Sequence, residues 1–167
     1  MKPSSGNSLD ARFLRDLVNT VWPTIGVSLE EEYSDRLSQR RFGDGVIVNT
    51  LEGKRHIDWK ASQVAYASFP VELLQDWQSL DVGWYYTLQC DQIFFGHYVA
   101  DQLRTVDVIN WVALRQLPHE SVDGCKPQLS DKGQGHTIFV PLQLGFLRRQ
   151  GVSQCVYNSQ AELAELF

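Results

Sequence analysis

The sequence lacks any long uncharged hydrophobic run, and none approaches the ~18 residues that a helix needs to cross a bilayer. Residues 1–8 are polar and lack the apolar stretch of a secretory signal. Cysteine is scarce: Cys90, Cys125 and Cys155 are odd in number and lie far apart, which argues against a disulfide framework and against a zinc site. We therefore expect a cytoplasmic protein that makes no contact with membranes, with residues 1–8 flexible.

A net positive charge is also missing, since the formal net charge is -5. A protein held to nucleic acid by its overall field alone is normally basic. The acidity counts against tight binding of nucleic acid without metal, but it leaves room for an enzyme in which divalent cations and local Lys/Arg patches supply positive charge. The chain has 167 residues, of which 43% are hydrophobic. This length and composition predict a single domain over residues 1–167.

The apolar pattern predicts helices around a sheet, hence an α/β or α+β fold. Apolar residues at helical spacing predict a helix over 9–21. Ser28 with Glu31 three positions later has the spacing of a capping box and predicts a second helix to about residue 41. Residues 62–80 are predicted to be largely helical, with a break near Pro70. Further strands are predicted over 84–88, 92–99, 105–108 and 136–140, helices over 109–117 and 143–150, and a loop over 119–135.

The clearest β signal is a hairpin. Residues 46–50 are rich in β-branched side chains, and residues 51–53 can form a three-residue loop with Gly53 in the left-handed conformation. Thr50 then lies opposite Lys54, and Asp44 opposite Lys60. In that register Asp44, Asp58 and Lys60 share one face of the hairpin. A two-residue loop would instead place Asp44 on the other face.

Two carboxylates and an ammonium on one face can be a structural ion-pair cluster, and Asp-x-Lys alone is a common tripeptide. The same set can also hold Mg²⁺, because this hard cation needs only one or two carboxylates beside waters and a substrate phosphate. Such a cation polarises a scissile phosphate and lowers the pKa of a bound water. A lysine two residues after a ligand can orient that water or stabilise developing negative charge.

The order of the motifs over residues 30–117 resembles that of small PD-(D/E)xK nucleases from bacteria and their phages. The resemblance rests on Asp35-Arg36, Gln39-Arg40-Arg41-Phe42-Gly43-Asp44, Ile57-Asp58-Trp59-Lys60, Val71-Glu72-Leu73-Leu74, Gly83-Trp84, Cys90-Asp91-Gln92-Ile93-Phe94-Phe95 and Leu114-Arg115. It implies a restriction-endonuclease-like fold, in which a mixed central sheet of about four or five strands is flanked by helices.

The resemblance also implies roles for individual residues. Asp44 and Asp58 would bind Mg²⁺ or Mn²⁺, Trp59 would add its backbone carbonyl, and Lys60 would be the catalytic lysine. Glu72, expected on the helix that follows the hairpin, would be a further ligand or a general base; an exposed helical glutamate is the alternative. Either Glu31 or Glu32 would be the helical acid near the metal. Gly43 stands where the family often has proline, and Asp58 where it more often has Glu, which leaves the metal preference open.

Basic residues flank these motifs. Arg36, Arg40 and Arg41 precede the candidate site, and Lys54 and Arg55 lie at the hairpin tip. They could contact phosphates on either side of the scissile bond, or they could simply be solvated. The aromatic run 84–86 could stack on bases, although buried strands explain it better.

The sequence therefore predicts a metal-dependent endonuclease that hydrolyses phosphodiester bonds in DNA. RNA remains an alternative substrate, a homodimer an open assembly state, and a non-catalytic DNA- or protein-binding member of the fold the alternative function.

Overall fold

The computed structural model describes residues 9–63, 68–117, 128–130 and 136–160, which form an α+β fold. The chain begins with α1 (Leu9–Asp16), continues through a π-helical turn (Leu17–Val21) and ends this first helical segment with α2 (Trp22–Thr24). The apolar residues of this helix, at positions 13, 14, 17, 18 and 21, predict a buried face, which is confirmed at Phe13, Leu17 and Val21, whereas Val18 is exposed. In the described part of the chain, no helix is both long and apolar enough to span a bilayer.

The predicted second helix is wrong in its first half. Val27–Glu32 is a strand, β1, and the helix α3 covers only Arg36–Phe42. The side chain of Asp35 caps α3 by accepting a hydrogen bond of 2.7 Å from the backbone N–H of Ser38. The capping-box spacing at Ser28 was misleading, because β1 pairs with the next strand and alternates half-buried and exposed side chains over its first four residues.

The main sheet has six strands rather than the four or five expected. Beside β1 it contains β2 (Gly45–Asn49), β3 (Gly53–Ser62), β6 (Gln92–Val99), β7 (Gln102–Asn110) and β10 (Ser153–Asn158). The order of the strands is β1-β2-β3-β6-β7-β10, in which β3 and β6 run parallel and all other neighbours run antiparallel. The hairpin and the strands predicted over 92–99 and 105–108 are thus confirmed.

A second, antiparallel sheet has the order β5-β4-β9-β8. It consists of β4 (Ser68–Asp76), β5 (Asp81–Val82), β8 (Gln128–Ser130) and β9 (Thr137–Gln143). The helical prediction for 62–80 is therefore wrong for its described residues, with 64–67 lying outside them. Phe69 and Val71 are buried while Pro70 and Glu72 are not, which is the two-residue period of a strand.

Three short helices complete the fold: α4 (Trp84–Thr87), α5 (Trp111–Gln116) and α6 (Leu144–Arg149). The predicted helices over 109–117 and 143–150 are confirmed, but the strand predicted over 84–88 is wrong. That segment turns into a helix directly after Gly83, where an added Cβ would lie 2.4 Å from the carbonyl oxygen of Glu72. The loop predicted over 119–135 is wrong at residues 128–130, which form β8, and the rest of that range lies outside the described residues.

Two hydrophobic clusters cover the two faces of the main sheet. The first joins Phe13, Leu17 and Trp22 of the N-terminal helical segment to Ile57 and Phe94. The second joins side chains of the four-stranded sheet, α5 and α6 to the opposite face, where Ile93 and Phe95 point. Asp58 and Lys60 of β3 alternate with Ile57 and Trp59 of the first cluster, so their side chains project toward this second side.

Candidate functional site

The hairpin register differs from the predicted one by two positions. The loop is formed by residues 50–52, Asn49 pairs with Gly53, and Val46 pairs with His56 instead of Asp58. Because side chains alternate with a period of two, an even displacement leaves every residue on its predicted face. Asp44, Asp58 and Lys60 accordingly meet in one cleft.

The site lies where β3 extends beyond the end of β2. The last β2–β3 pair is Gly45 with Ile57, and Ile57 accepts the backbone N–H of Asp44 at 2.8 Å. Beyond that point, the N–H of Trp59 donates to Asp44 Oδ2 and the N–H of Ala61 donates to Asp10 Oδ1, each at 3.2 Å. The N–H and C=O of one residue point to the same side of a strand, so the carbonyl of Trp59 faces this same open edge beside Asp44.

Buried Asp58 and half-buried Lys60 form an ion pair. Lys60 Nζ lies 2.8 Å from Asp58 Oδ2, and the Asp58 side chain is only 6% exposed. Apart from this ion pair, Asp58 Oδ2 is enclosed without a hydrogen-bond donor among the described residues. The ammonium also lies 5.0 Å from the centre of the Trp84 ring, so a cation–π contact holds its other side.

Burial and the neighbouring Asp58 perturb the carboxyl group of Asp44 strongly. Burial raises the pKa of Asp44 to about 8, and the neighbouring Asp58 adds to the rise, while Lys60 and the Trp59 N–H act in the opposite direction. For Lys60, burial lowers the pKa, but Asp58, Asp44 and Asp10 outweigh it and the net change is upward. In the metal-free protein at neutral pH, Asp44 therefore holds a proton and Lys60 is an ammonium.

The cleft has a volume of about 250 Å³ and brings together most of the predicted site residues. Glu72 lines it from β4, so the prediction that it lies on a helix is wrong although its placement near Lys60 is right. Burial raises the Glu72 pKa, and both Lys60 and a hydrogen bond from the Trp84 N–H oppose the rise. Arg36 and Arg40 line the cleft from α3.

Other predicted residues lie elsewhere. Glu31 and Glu32 are exposed residues of β1, so neither is a helical acid, and neither lines the cleft. Lys54 is paired with Glu30 at 2.8 Å near the hairpin tip, six strand positions or about 20 Å from Lys60. Arg55 lies beside Lys54, and its side chain donates to the Lys54 carbonyl.

Arg41 is also directed away from the cleft. Its guanidinium lies 5.1 Å from the centre of the Phe42 ring and donates to the side chain of Gln89. Of the three α3 arginines predicted to contact phosphates, the structure thus brings Arg36 and Arg40 to the cleft and leaves Arg41 outside it.

The helical acid near Lys60 is one that sequence reasoning missed. Asp10 lies in the first turn of α1, and its charge interacts with Lys60 and Asp58. Burial raises the Asp10 pKa, whereas Lys60 and the Ala61 N–H lower it. Its position in the first turn of the predicted helix was visible, but the docking of that turn beside the end of β3 was not.

The residues at the strand edge fit a hard divalent cation. Among the described residues, no three His, Cys, Asp or Glu side chains converge as a ligand group. Mg²⁺ does not require three, because one or two carboxylates with waters and a phosphate suffice. Asp44, Asp58 and the Trp59 carbonyl supply oxygen donors of that kind.

No protein-family model matches the chain, and neither the curated proteins nor the solved structures contain a match.

Proposed function

We propose that this protein is a metal-dependent nuclease of the PD-(D/E)xK type that hydrolyses phosphodiester bonds in DNA. The observation that carries the proposal is the convergence of Asp44, Asp58, Lys60 and the Trp59 carbonyl at the open edge of β3. This arrangement corresponds to the order of roles that the sequence resemblance implies. A restriction-endonuclease-like core is part of the same proposal.

Asp44, Asp58 and the Trp59 carbonyl would hold Mg²⁺ or Mn²⁺. When bound, such a cation polarises the scissile phosphate and acidifies a water. Metal binding requires the carboxylates to be ionised, so Asp44 has to give up the proton that it holds at neutral pH. The cation takes over the charge compensation that this proton provides in the metal-free protein.

Lys60 is the group of this chain best placed to act on the reacting phosphate. It is charged, it is fixed between Asp58 and Trp84, and it lines the cleft. A fixed ammonium stabilises negative charge that develops on phosphate oxygens, and it can orient the attacking water. Glu72 lies across the same cleft, and its raised pKa suits a proton acceptor or a further metal ligand.

Arg36 and Arg40 would contact the phosphates that flank the scissile bond. Both line the cleft, Arg36 from the first residue of α3 and Arg40 from its last turn, whereas Lys54 and Arg55 lie too far along β3 to reach the same phosphates. Phosphate contacts of this kind position the substrate without reading its sequence.

Metal binding is tested first, by thermal unfolding with increasing Mn²⁺. A ligand that binds only the folded state adds about 2.7 kcal/mol at 100 times its Kd, which raises the Tm of a chain this long by about 5–10 °C. We expect this rise in the wild type and in Glu32→Gln, whose side chain is exposed outside the cleft, and no rise in Asp58→Asn. A rise that persists in Asp58→Asn contradicts the proposed metal site.

Hydrolysis is tested with labelled DNA and RNA substrates in Mn²⁺. We expect cleavage of DNA that is lost in Lys60→Ala and retained in Arg55→Ala, the matched cation at the hairpin tip. Cleavage of RNA in preference to DNA would reassign the substrate.

The second candidate function is a non-catalytic member of the fold that binds DNA or protein, which the net charge of -5 favours. Binding without cleavage by the wild type would identify it.

A further inference from the structure

A second cavity adjoins the cleft on the far side of Lys60. It has a volume of about 220 Å³ and is lined by Pro70, Phe139 and Thr137 together with Lys60, Glu72 and Trp84. The last three residues also line the cleft that holds Asp44 and Asp58. The two cavities therefore meet at the lysine and the glutamate that we place beside the reacting phosphate.

Three of the residues that line this second cavity carry rings: Pro70 and Phe139 in the four-stranded sheet, and Trp84 in α4. Pro70 and Glu72 project from the same face of β4, and Phe139 of β9 pairs with Glu72 in register. The Trp84 ring lies 5.7 Å from Phe69 and 5.2 Å from Trp111, centre to centre, which holds its orientation. Flat apolar walls with a carboxyl and a hydroxyl at the margin match a planar aromatic molecule that has a polar edge.

We propose that this cavity, the base pocket, receives one unpaired nucleobase next to the scissile phosphate, so that the substrate is single-stranded or locally unpaired nucleic acid. The proposal rests on the proposed function of the adjoining cleft. A cavity of about 150 Å³ already accommodates benzene, so the volume admits a base. A base inside a duplex can reach such a pocket only after it leaves the stack, which costs a few kcal/mol.

The charge distribution favours the same class of substrate. The cleft presents two arginines from α3, and Lys60 is already paired with Asp58. With two phosphate contacts on a single strand, the slope of log K against the logarithm of the salt concentration is only about -1.4. Stacking of bases on aromatic rings, in contrast, contributes about 1–3 kcal/mol per base and is independent of sequence. We infer that the rings supply most of the affinity and the arginines supply orientation.

The experiment measures binding without metal and cleavage with metal on the same probes. The probes are fluorescein-labelled DNA oligonucleotides of about 12 nucleotides, within the usual range of single-strand site sizes: single-stranded, duplex, and single-stranded with one abasic position moved along the strand. Fluorescence anisotropy in EDTA reports binding. Product mapping in Mn²⁺ reports the scissile bond.

The expected result is that the single strand binds more tightly than the duplex, and that an abasic position beside the cleaved bond weakens binding about tenfold. Phe139→Ala should weaken binding of the intact single strand by a similar factor. Phe139→Tyr keeps the ring and should bind as tightly as the wild type. Tyr86→Ala is the matched control. Its ring is 57% exposed, but helical spacing puts Trp84, Thr87 and Leu88 toward the cleft and Tyr86 on the opposite side of α4.

The outcomes separate the two proposals. Equal binding of abasic and intact strands, or equal binding of duplex and single strand, overturns the base pocket even where Mn²⁺-dependent cleavage is found. Ring-dependent binding of the single strand without cleavage in any metal supports the base pocket and overturns the hydrolase. If Phe139→Ala keeps the wild-type Tm, its loss of binding is not caused by unfolding. If Phe139→Ala is unstable, Phe139→Tyr provides the check instead.

Discussion

The proton on Asp44 has a direct effect on the stability of the metal-free protein. Burial and the adjacent Asp58 raise the pKa of Asp44 from 3.8 to about 8 on folding. We consider Asp44→Asn, which keeps an oxygen to accept the Trp59 N–H and resembles the protonated acid in shape. The variant removes the titration and leaves the packing of the site.

The sign and size of the effect follow from linkage. Between pH 3.8 and about 8 the folded state holds a proton that the unfolded state has lost, so the wild type loses stability as pH rises. Each unit of pH in that window lowers the free energy of unfolding of the wild type by about 1.4 kcal/mol. The accumulated loss is on the order of 4 kcal/mol at pH 7 and stops growing above about pH 8. Asp44→Asn has no such loss, and it should therefore exceed the wild type in stability by that amount at neutral pH.

The assay is urea unfolding of both proteins in EDTA, from about pH 5 to about pH 9, because the difference between the two curves isolates Asp44. Asp35→Asn is the control. Hydrogen bonds from Ser38 lower the pKa of this exposed cap, so its contribution is lost only as pH falls below the window, and its difference curve should be flat. A flat difference curve for Asp44→Asn would refute the reasoning, because it would mean that Asp44 is already ionised in the folded protein.

Three further predictions concern the metal and the core. At pH 7, binding of Mn²⁺ should release about 0.9 proton from a group whose pKa is about 8, which calorimetry in buffers of different ionisation enthalpy measures; release of no proton contradicts the Asp44 assignment. Asp107 is completely buried and accepts two hydrogen bonds from Arg148 at 2.7 and 2.6 Å. Arg148→Met should therefore lower the free energy of unfolding, measured with urea, by about 3 kcal/mol. Adding Asp107→Leu to that variant should recover part of the loss. Gly96→Ala should cost about 1–3 kcal/mol, because its Cβ would lie 2.4 Å from the ring of buried Phe13; a loss below 0.5 kcal/mol, the range of an ordinary surface substitution, would contradict the predicted clash.

The hairpin was predictable because its signal is local. Gly53 adopts a φ of 77°, as expected for the left-handed residue of the turn. The loop begins one residue earlier than predicted, and the pairing moved by two positions. The shared face of Asp44, Asp58 and Lys60 survived this error, since it depends on whether the displacement is even and not on its size.

The helical predictions that failed are those in which distant pairing decides the conformation. Ser28 and Glu31 have helix-start spacing, but β1 gains inter-strand hydrogen bonds by pairing with β2. The segment around Glu72 likewise becomes a strand because β9, far along the chain, pairs with it. Neither partner is visible in a local window. For the same reason, sequence reasoning could not find Asp10, which reaches the site through the docking of α1.

The overhang of β3 beyond β2 has a consequence for how variants of this site behave. An uncovered strand edge is a template for pairing with another chain, and proteins protect such edges with charged side chains. Here Asp44 and Asp10 occupy the N–H groups of Trp59 and Ala61, so these acids also shield the sheet margin from intermolecular strand addition. An alanine at either position removes the hydrogen-bond acceptor of that N–H group and favours self-association. Asparagine keeps the margin closed.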